Sequence, residues 1–264
     1  MTDEYEKIIY AKEGRLALIT INRPEIMNCI DAQTSYELNQ AFTDFRDNDD
    51  LWVAILTGAG DRAFCTGNDL IAMSEAMAGK NTEAMNYRAP FGGITRHFEC
   101  WKPIIAAING YCLAGGLEIS LCCDIRVAAE HAQFGVPEVT RAIIPGAGGT
   151  QRLPRFLPRA IAMELLLTGA RFDAQWALRN GLVNYVVPAD QVMAKAREIA
   201  EVICNNGPLA VRAAKESALR GIELPLEEGL KQEGQFSMKV VASEDAREGP
   251  LAFAQKRKAE YKGR

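Results

Sequence analysis

The sequence predicts a mixed α/β core followed by a helical C-terminal region. Strand patterns alternate with amphipathic helix patterns from Leu16 to about Val187, and this order is typical of α/β folds. From Pro188 onward the patterns are helix-like, with no strong strand signal. The 264 residues, 48% hydrophobic and 24% charged, suffice for one large domain or for one domain with a smaller appendage.

The elements of the core can be assigned in chain order. "RLALITINRP" predicts a strand over Leu16–Ile21 that stops at an Asn-Arg-Pro turn, and "DAQTSYELNQAFTDFRDNDD" predicts an amphipathic helix capped by Asp31. Further strands are expected within "WVAILTGAG", "KPIIAAING" and "DIRVAAEHAQF". In "LLLTGARFDAQWALRNGLVNYVV", Asp173 is expected to cap a short helix that ends at Gly181, and a strand follows.

Two segments are expected to differ from the core. Residues 72–97 are polar and contain glycines, which favours a mobile insertion beside a site rather than a core element. A boundary near Asn206–Gly207 divides the chain into a core over 1–206 and a helical domain over 207–264. No internal repeat is evident in the sequence.

Composition and charge exclude several classes of function. The net charge of −4 gives no global attraction for nucleic acid or for an anionic membrane, so neither is expected as a partner. The seven cysteines include no CxxC pair, and the N-terminal "MTDEYEKIIYAKEG" has acids where a signal peptide has bases. A reducing, cytoplasmic location is therefore expected.

The stretch over residues 103–123 contains one charged residue, Glu118. Its 21 residues are enough to span a membrane, but its glycines, Asn109 and Glu118 favour a buried strand–turn–helix. Removing a carboxylate from water is costly unless it is paired, hydrogen-bonded or neutralised. Glu118 therefore needs a local partner or a chemical role.

Several familiar motifs are disfavoured by their context. "GAGDRA", over Gly58–Ala63, fits GxGxxA, but "FCTGNDL" follows where a dinucleotide-binding fold needs a helix, so a tight turn is favoured. "GAGGTQRL" lacks the Gly-Lys-Ser/Thr of a P-loop, and no GxSxG occurs. The two histidines, His97 and His131, lack ligand spacing, so no metal site is expected.

Two glycine-containing stretches favour a site that binds an oxyanion. In "NGYCLAGGLEIS", Gly115 and Gly116 precede a helix pattern that has Glu118 in its first turn, and helix N-termini present unpaired N–H groups. In "AFCTGNDL", Gly67 can expose the N–H of Asn68. Two converging N–H groups suit a developing oxyanion.

A second carboxylate, Glu138 in "FGVPEVT", follows Glu118 by 20 residues. Taken alone, Glu138 is compatible with a surface glutamate, and Glu118 with a capping carboxylate. Taken with the glycine loops, the pair favours acid and base chemistry beside a polarised carbonyl.

Segments along nearly the whole chain resemble the crotonase superfamily of enoyl-CoA hydratases and isomerases. They are "NRPEIMN", "AFCTGNDL", "KPIIAAINGYCLAGGLEISLCCD", "FGVPEVTRAIIPGAGGTQRLPR", "EEGLKQE" and "FAQKRK". The resemblance implies a spiral of ββα repeats with a C-terminal helical trimerisation domain, assembled as a homotrimer or a dimer of trimers.

The resemblance also implies roles for individual residues. The backbone N–H groups of Asn68 and Gly115 would form the oxyanion hole, Glu118 would activate water, and Glu138 would deliver a proton. The residues implied to bind the substrate or its CoA are Ile26, Met27, Ala63, Cys65, Gly67, Asp69, Leu70, Gly116, Phe253 and Lys256. CoA is part of the substrate, and no metal or other cofactor is implied.

Two positions depart from the family pattern. Many relatives have alanine in place of Asn68, whose side chain can narrow the acyl pocket. Many have lysine in place of Glu25, so one basic contact to CoA is in doubt.

The expected activity is hydration of a short-chain trans-2-enoyl-CoA, because both glutamates are present. The alternatives are carnitinyl-CoA dehydratase, enoyl-CoA isomerase and a non-catalytic RNA-binding homologue. A trimethylammonium acyl group would favour an aromatic face or a carboxylate in its pocket. The 72–101 segment offers Tyr87, Phe91 and Trp101, which are equally compatible with packing.

Overall fold

The computed structural model describes residues 5–80 and 87–264. The strands of these ranges are β1 (Ile8–Glu13), β2 (Leu16–Ile21), β3 (Val53–Gly58), β4 (Ala63–Cys65), β5 (Ile104–Ile108), β6 (Tyr111–Leu113), β7 (Ile125–Ala129), β8 (Gln133–Gly135), β9 (Arg171–Asp173) and β10 (Tyr185–Val187). The α-helices are α1 (Ala32–Asp47), α2 (Leu70–Met77), α3 (Gly115–Ser120), α4 (Gly149–Phe156), α5 (Arg159–Thr168), α6 (Ala174–Arg179), α7 (Val192–Cys204), α8 (Pro208–Gly221), α9 (Leu226–Val241) and α10 (Glu244–Ala254).

The strands form two sheets that the chain enters alternately. The larger sheet has the order β1-β2-β3-β5-β7-β10, and the smaller has the order β4-β6-β8-β9. The pairs β3/β4, β5/β6 and β7/β8 each place one strand in each sheet, and helical structure follows each pair. This is the expected spiral of ββα units, so the predicted fold class is confirmed. Pairing is parallel except between β1 and β2 and between β8 and β9.

The central strands are buried on both faces. All residues of β3 and β5 are buried, which is typical of parallel strands covered on two sides. Helix α7 packs on β3, β5 and β7, and β4 contacts β3 and β5. These contacts help to position the smaller sheet, whose strands β4, β6 and β8 lead into the loops of the candidate site.

The predicted capping residues are confirmed. Asp31 accepts a hydrogen bond from the N–H of Thr34 at the start of α1, and Asp173 does the same for Trp176 at the start of α6. Gly181 follows α6 with a φ of +73°. The stretch over residues 103–123 forms β5, β6 and α3, as the strand–turn–helix interpretation predicts.

The interpretation of residues 72–97 as lying outside the core was wrong for part of the segment. Its beginning belongs to α2, and its end forms a 3-10 helix over Phe91–Gly93 that packs against α1. Ile94 is 4% exposed and belongs to the core, and Thr95 is 2% exposed. Residues 81–86 of this segment lie outside the described ranges.

The C-terminal helices leave many apolar side chains exposed. The expected boundary near Asn206–Gly207 falls in the turn between α7 and α8, and α8 packs against α9. The large apolar side chains that are more than 60% exposed in this region are Ile222, Leu226, Met238, Val241 and Phe253. In the described part of the chain, no helix is long and apolar enough to cross a membrane.

Candidate active site

A cavity of about 650 Å³ collects most of the predicted site residues. Asn68, Gly115, Glu118 and Glu138 all line it. Four of the residues implied to bind substrate also belong to its wall, namely Ile26, Met27, Asp69 and Leu70. The structure therefore brings together segments that lie more than 100 residues apart in sequence.

The turn between β6 and α3 presents the N–H of Gly115. Ala114 adopts φ 52° and ψ −128°, a conformation that is sparsely populated for a residue with a Cβ. The surrounding contacts hold it, because the N–H of Ala114 donates to the carbonyl of Gly135 at 2.8 Å. Gly115 is then the first residue of α3, and its N–H has no protein acceptor among the described residues.

The loop after β4 presents the N–H of Asn68. In the bridge between Ile30 and Asn68, the N–H of Ile30 donates to Gly67, and the N–H of Asp69 donates to Ile30. This pattern leaves the N–H of Asn68 on the opposite side of the strand. At Gly67, with φ +98°, an added Cβ would lie 3.0 Å from the nitrogen of Gly115. The two loops that carry the predicted oxyanion hole are therefore in contact, and Gly67 makes this close approach possible.

Arg23 contacts the residues that cap the two neighbouring helices, α1 and α2. Its guanidinium lies 3.0 Å from the carboxylate of Asp31, which caps α1, and 3.1 Å from that of Asp69, which caps α2. Asn28 is fully buried, and its amide donates to the carbonyl of Ala63 at 2.7 Å. Asp69 thus reaches the cavity wall, while its carboxylate is already engaged by Arg23 and by the N-terminus of α2.

Glu118 is 3% exposed and has a direct hydrogen-bond partner. The N–H of Gly149, at the start of α4, donates to its Oε1 at 2.7 Å. Burial raises the pKa of Glu118, and the backbone N–H groups of Gly149 and Ala147 oppose that rise. The position in the first turn of α3, as predicted, is confirmed. The partner that makes a buried carboxylate tolerable is thus supplied by a distant loop.

Two arginines hold that loop beside Glu118. Arg152 of α4 donates to the carbonyls of Ala147, at 3.1 Å, and Thr95, at 2.9 Å. Arg96 donates to the carbonyl of Gly146 at 2.5 Å. The positive charges of both arginines lower the pKa of Glu118 and so oppose the effect of burial. The segment around residues 91–96 and the loop over residues 145–149 are therefore tied together at the carboxylate.

Glu138 has a different environment. It lies in a 3-10 helix over Pro137–Arg141, is 7% exposed, and its Oε2 is buried without a partner in the described residues. Burial raises its pKa to about 7, and the negative charge of Glu118 contributes to the rise. At neutral pH, Glu138 can therefore hold a proton.

The combined geometry suits acid–base chemistry on a polarised carbonyl. Two backbone N–H groups without protein acceptors lie in the same wall as two buried glutamates whose environments differ. The N–H groups can accept developing negative charge. The glutamates line the same cavity and can take up and deliver protons.

The other predicted residues lie elsewhere. Ala63, Cys65, Gly67 and Gly116 do not line the cavity and are buried behind it. An added Cβ at Gly116 would lie 2.1 Å from the carbonyl oxygen of Cys65, so this glycine allows α3 to pack on β4.

The two predicted residues of the C-terminal domain are also outside this cavity wall. Phe253 is 87% exposed at the end of α10, and Lys256 follows in an exposed turn. Both roles remain predictions.

One of the three aromatic residues proposed for a cationic acyl group reaches the cavity. Phe91 lines it and packs on Gly115, where an added Cβ would lie 2.3 Å from the ring. Tyr87 packs against Tyr36, with ring centroids 5.5 Å apart, and the Trp101 ring lies 4.9 Å from the guanidinium of Arg220. Neither Tyr87 nor Trp101 lines this cavity.

Sequence reasoning missed the residues that hold the glutamates. Gly149, Arg152 and Arg96 were not predicted, although the glycine-rich run before α4 is a recognisable signal for close approach of the backbone. The conformation of Ala114 has no sequence signal. Within the described ranges, no three histidine, cysteine, aspartate or glutamate side chains are grouped so as to hold a metal ion.

Comparison with known families identifies the family of this chain. Residues 11–264 match the family described as enoyl-CoA hydratase/isomerase. The chain belongs to this family. The predicted resemblance to the crotonase superfamily is therefore confirmed.

Relatives within the family carry more than one name. The carnitinyl-CoA dehydratase of Proteus mirabilis (strain HI4320) is 47% identical over 255 residues, which cover 95% of this chain and 96% of the relative. That of Citrobacter koseri is 44% identical over 263 residues, which cover 98% and 99% of the two chains.

Solved structures of the family superpose closely on this chain. The enoyl-CoA hydratase from Mycobacterium tuberculosis H37Rv has a TM-score of 0.90 at 38% identity, with 98% of this chain and 99% of that chain covered. The enoyl-CoA hydratase from Bacillus anthracis has a TM-score of 0.88 at 41% identity, with 98% and 100% covered.

Proposed function

We propose that the protein catalyses the reversible addition of water to a short-chain trans-2-enoyl-CoA. The observation that carries the proposal is the pair Glu118 and Glu138, buried in one cavity wall with the N–H groups of Asn68 and Gly115. Addition of water needs both a base and an acid, and the two glutamates can supply both functions.

The proposed reaction uses each group once. The thioester oxygen accepts hydrogen bonds from the N–H groups of Asn68 and Gly115. Glu118 takes a proton from water as the water oxygen bonds to C3, and the displaced π electrons give an enolate-like state. Glu138 then delivers its proton to C2, and proton exchange with solvent restores the starting pair. Loss of one oxyanion-hole donor would cost roughly 3–4 kcal/mol of transition-state stabilisation.

No metal or redox cofactor is needed in this proposal. Adding water across the double bond requires no external oxidant or reductant, and the two N–H groups polarise the thioester. CoA enters as part of the substrate.

The trimer proposed for this chain would form through the apolar surface of α8–α10. The seven free cysteines support a reducing, cytoplasmic location.

Hydration of crotonyl-CoA tests the proposal. Loss of the ultraviolet absorbance of the conjugated enoyl thioester should follow addition of the enzyme, and 3-hydroxybutyryl-CoA should accumulate. If the enzyme hydrates none of a panel of trans-2-enoyl-CoA thioesters of four to eight carbons, the proposed function is wrong.

Carnitinyl-CoA dehydratase is a second candidate. Two observations favour it: relatives of that name are 43–47% identical to this chain, and Phe91 offers an aromatic face to a trimethylammonium group. A kcat/KM for crotonobetainyl-CoA more than ten times that for crotonyl-CoA would select this candidate. The two-glutamate reaction would be the same.

A further inference from the structure

An arginine without a carboxylate partner lines the candidate active site. Arg96 is exposed, belongs to the cavity wall, and donates one hydrogen bond, to the carbonyl of Gly146. It forms no ion pair with any carboxylate in residues 5–80 and 87–264. Arg23 differs, because two aspartates compensate its charge. The remaining donors of Arg96 are available to a ligand.

The position of Arg96 relates it to the acyl chain. Its segment packs on α3, where Phe91 contacts Gly115 and an added Cβ on Gly92 would lie 2.4 Å from Ile119. The charge of Arg96 acts on Glu118, the proposed base for water addition at C3. Ile26, Met27 and Leu70, which are implied to bind the substrate or its CoA, belong to other segments of the wall. Phe91 and Arg96 therefore line the same cavity as the glutamate proposed to act at C3.

The charges around this wall favour an anion. Glu118 accepts a hydrogen bond from Gly149, Glu138 can hold a proton, and neither forms an ion pair with Arg96. A guanidinium binds a carboxylate through two parallel hydrogen bonds. A trimethylammonium group in the same place would be repelled by the positive charge of Arg96.

We propose that Arg96 selects 2-enoyl-CoA substrates whose acyl chain ends in a carboxylate. This inference rests on the proposed function. It distinguishes this chain from relatives named for a betaine substrate, because the acyl group of carnitinyl-CoA carries a positive charge. A neutral crotonyl group fits the same cavity but leaves Arg96 without its partner.

Charge substitution at residue 96 tests the proposal. The substrates are crotonyl-CoA, 4-carboxybut-2-enoyl-CoA, 5-carboxypent-2-enoyl-CoA and crotonobetainyl-CoA, and the measured quantity is kcat/KM. The wild type should prefer the better carboxylated substrate over the betaine by at least about tenfold. Arg96→Gln should reduce this ratio to within about threefold of one, and Arg96→Glu should reverse it. Arg96→Lys should restore most of the preference.

The ratios of kcat/KM between substrates distinguish substrate selection by Arg96 from a role in positioning the loop. If Arg96 only holds the loop through Gly146, substitution should lower kcat/KM for every acyl group and leave the ratios unchanged, and that result would overturn the proposal. Arg179→Gln is the control, because Arg179 is exposed on α6 and does not line this cavity. It should leave the carboxylate-to-betaine ratio unchanged.

The remaining outcomes also test the proposal. If Arg96→Glu does not fold, the ratio in Arg96→Gln is decisive. A wild type that hydrates crotonyl-CoA but prefers the betaine contradicts this inference and leaves the proposed function standing. A wild type that hydrates no enoyl-CoA contradicts the proposed function itself.

Discussion

Glu138 keeps a high pKa at a cost in stability. Its pKa is about 7 in the folded protein, against 4.5 for an unperturbed glutamate. The folded state therefore binds a proton more tightly than the unfolded chain, and stability falls as the pH rises from about 4.5 to 7. The residue is destabilising where it is charged, and this is the usual relation between a functional group and the fold that holds it.

Glu138→Gln should become more stable than the wild type as the pH rises. Glutamine does not titrate, so the difference in the free energy of unfolding should change by about 3 kcal/mol between pH 4 and pH 8. Chemical denaturation at several pH values measures it. A difference that does not vary with pH would show that Glu138 has an ordinary pKa in the folded protein.

The glutamate pair also predicts the pH dependence of activity. Hydration requires Glu118 without a proton and Glu138 with one, and dehydration requires the reverse. Both directions therefore need one proton on the pair, so kcat/KM should have the same pH dependence in both directions. The value should fall as the pH rises above about 7, where Glu138 loses its proton. Initial rates with crotonyl-CoA and with 3-hydroxybutyryl-CoA test this. Different profiles in the two directions would contradict the shared-proton assignment.

At the scale of elements, the loop before α4 is the support for Glu118. Arg152 ties this loop to the segment that contains Thr95, and Gly149 donates to the carboxylate. The charges of Arg152 and Arg96 lower the pKa of Glu118, and the charge of Glu118 raises the pKa of Glu138. The position and the ionisation of Glu118 therefore depend on the loop at the start of α4.

Arg152→Gln should lower kcat on crotonyl-CoA by about tenfold and shift the acidic limb of the pH profile upward. The shift follows because the pKa of Glu118 rises when a nearby positive charge is removed. Arg155→Gln is the control in the same helix, since Arg155 pairs on the surface with Glu223. If both variants behave like the wild type, the loop does not position Glu118.

Most of the longer strands were predictable from sequence, although β1 was not, and most of the short strands were missed, although β10 was predicted. β2, β3, β5 and β7 have five or six residues, enough for an apolar run to be recognised. β4, β6, β8 and β9 have three residues each, too few for a periodic pattern. The ββα repeat was invisible for the same reason, because every unit contains one of these short strands.

The site was predictable where chemistry leaves a local signal. Glu118 stands out in an apolar stretch, and Gly67 and Gly115 mark loops that approach closely. Gly149 lies 31 residues from the carboxylate it binds, and only the fold brings them together. The residues that hold a site in place are therefore harder to predict than the residues that form it.

At the scale of the whole molecule, the exposed apolar surface of α9 predicts self-association. Leu226 and Met238 are 75% and 77% exposed, and such surface usually marks an interface. Leu226→Glu combined with Met238→Glu should shift the proposed trimer towards monomer in light scattering. Leu167→Glu, which changes an equally exposed leucine on α5, should keep the trimer. A double variant with the wild-type mass would exclude this face from the interface.

The central claim is that Glu118 and Glu138 act together on one water molecule. The most direct measurement is kcat on crotonyl-CoA for Glu118→Gln, Glu138→Gln and the double variant, with CoA binding and thermal stability confirming an intact fold. Each single variant should lose roughly a thousandfold or more, and the double variant should lose little beyond that, because groups that act as a unit are not additive. A single variant that keeps kcat within tenfold of the wild type would contradict the two-glutamate mechanism.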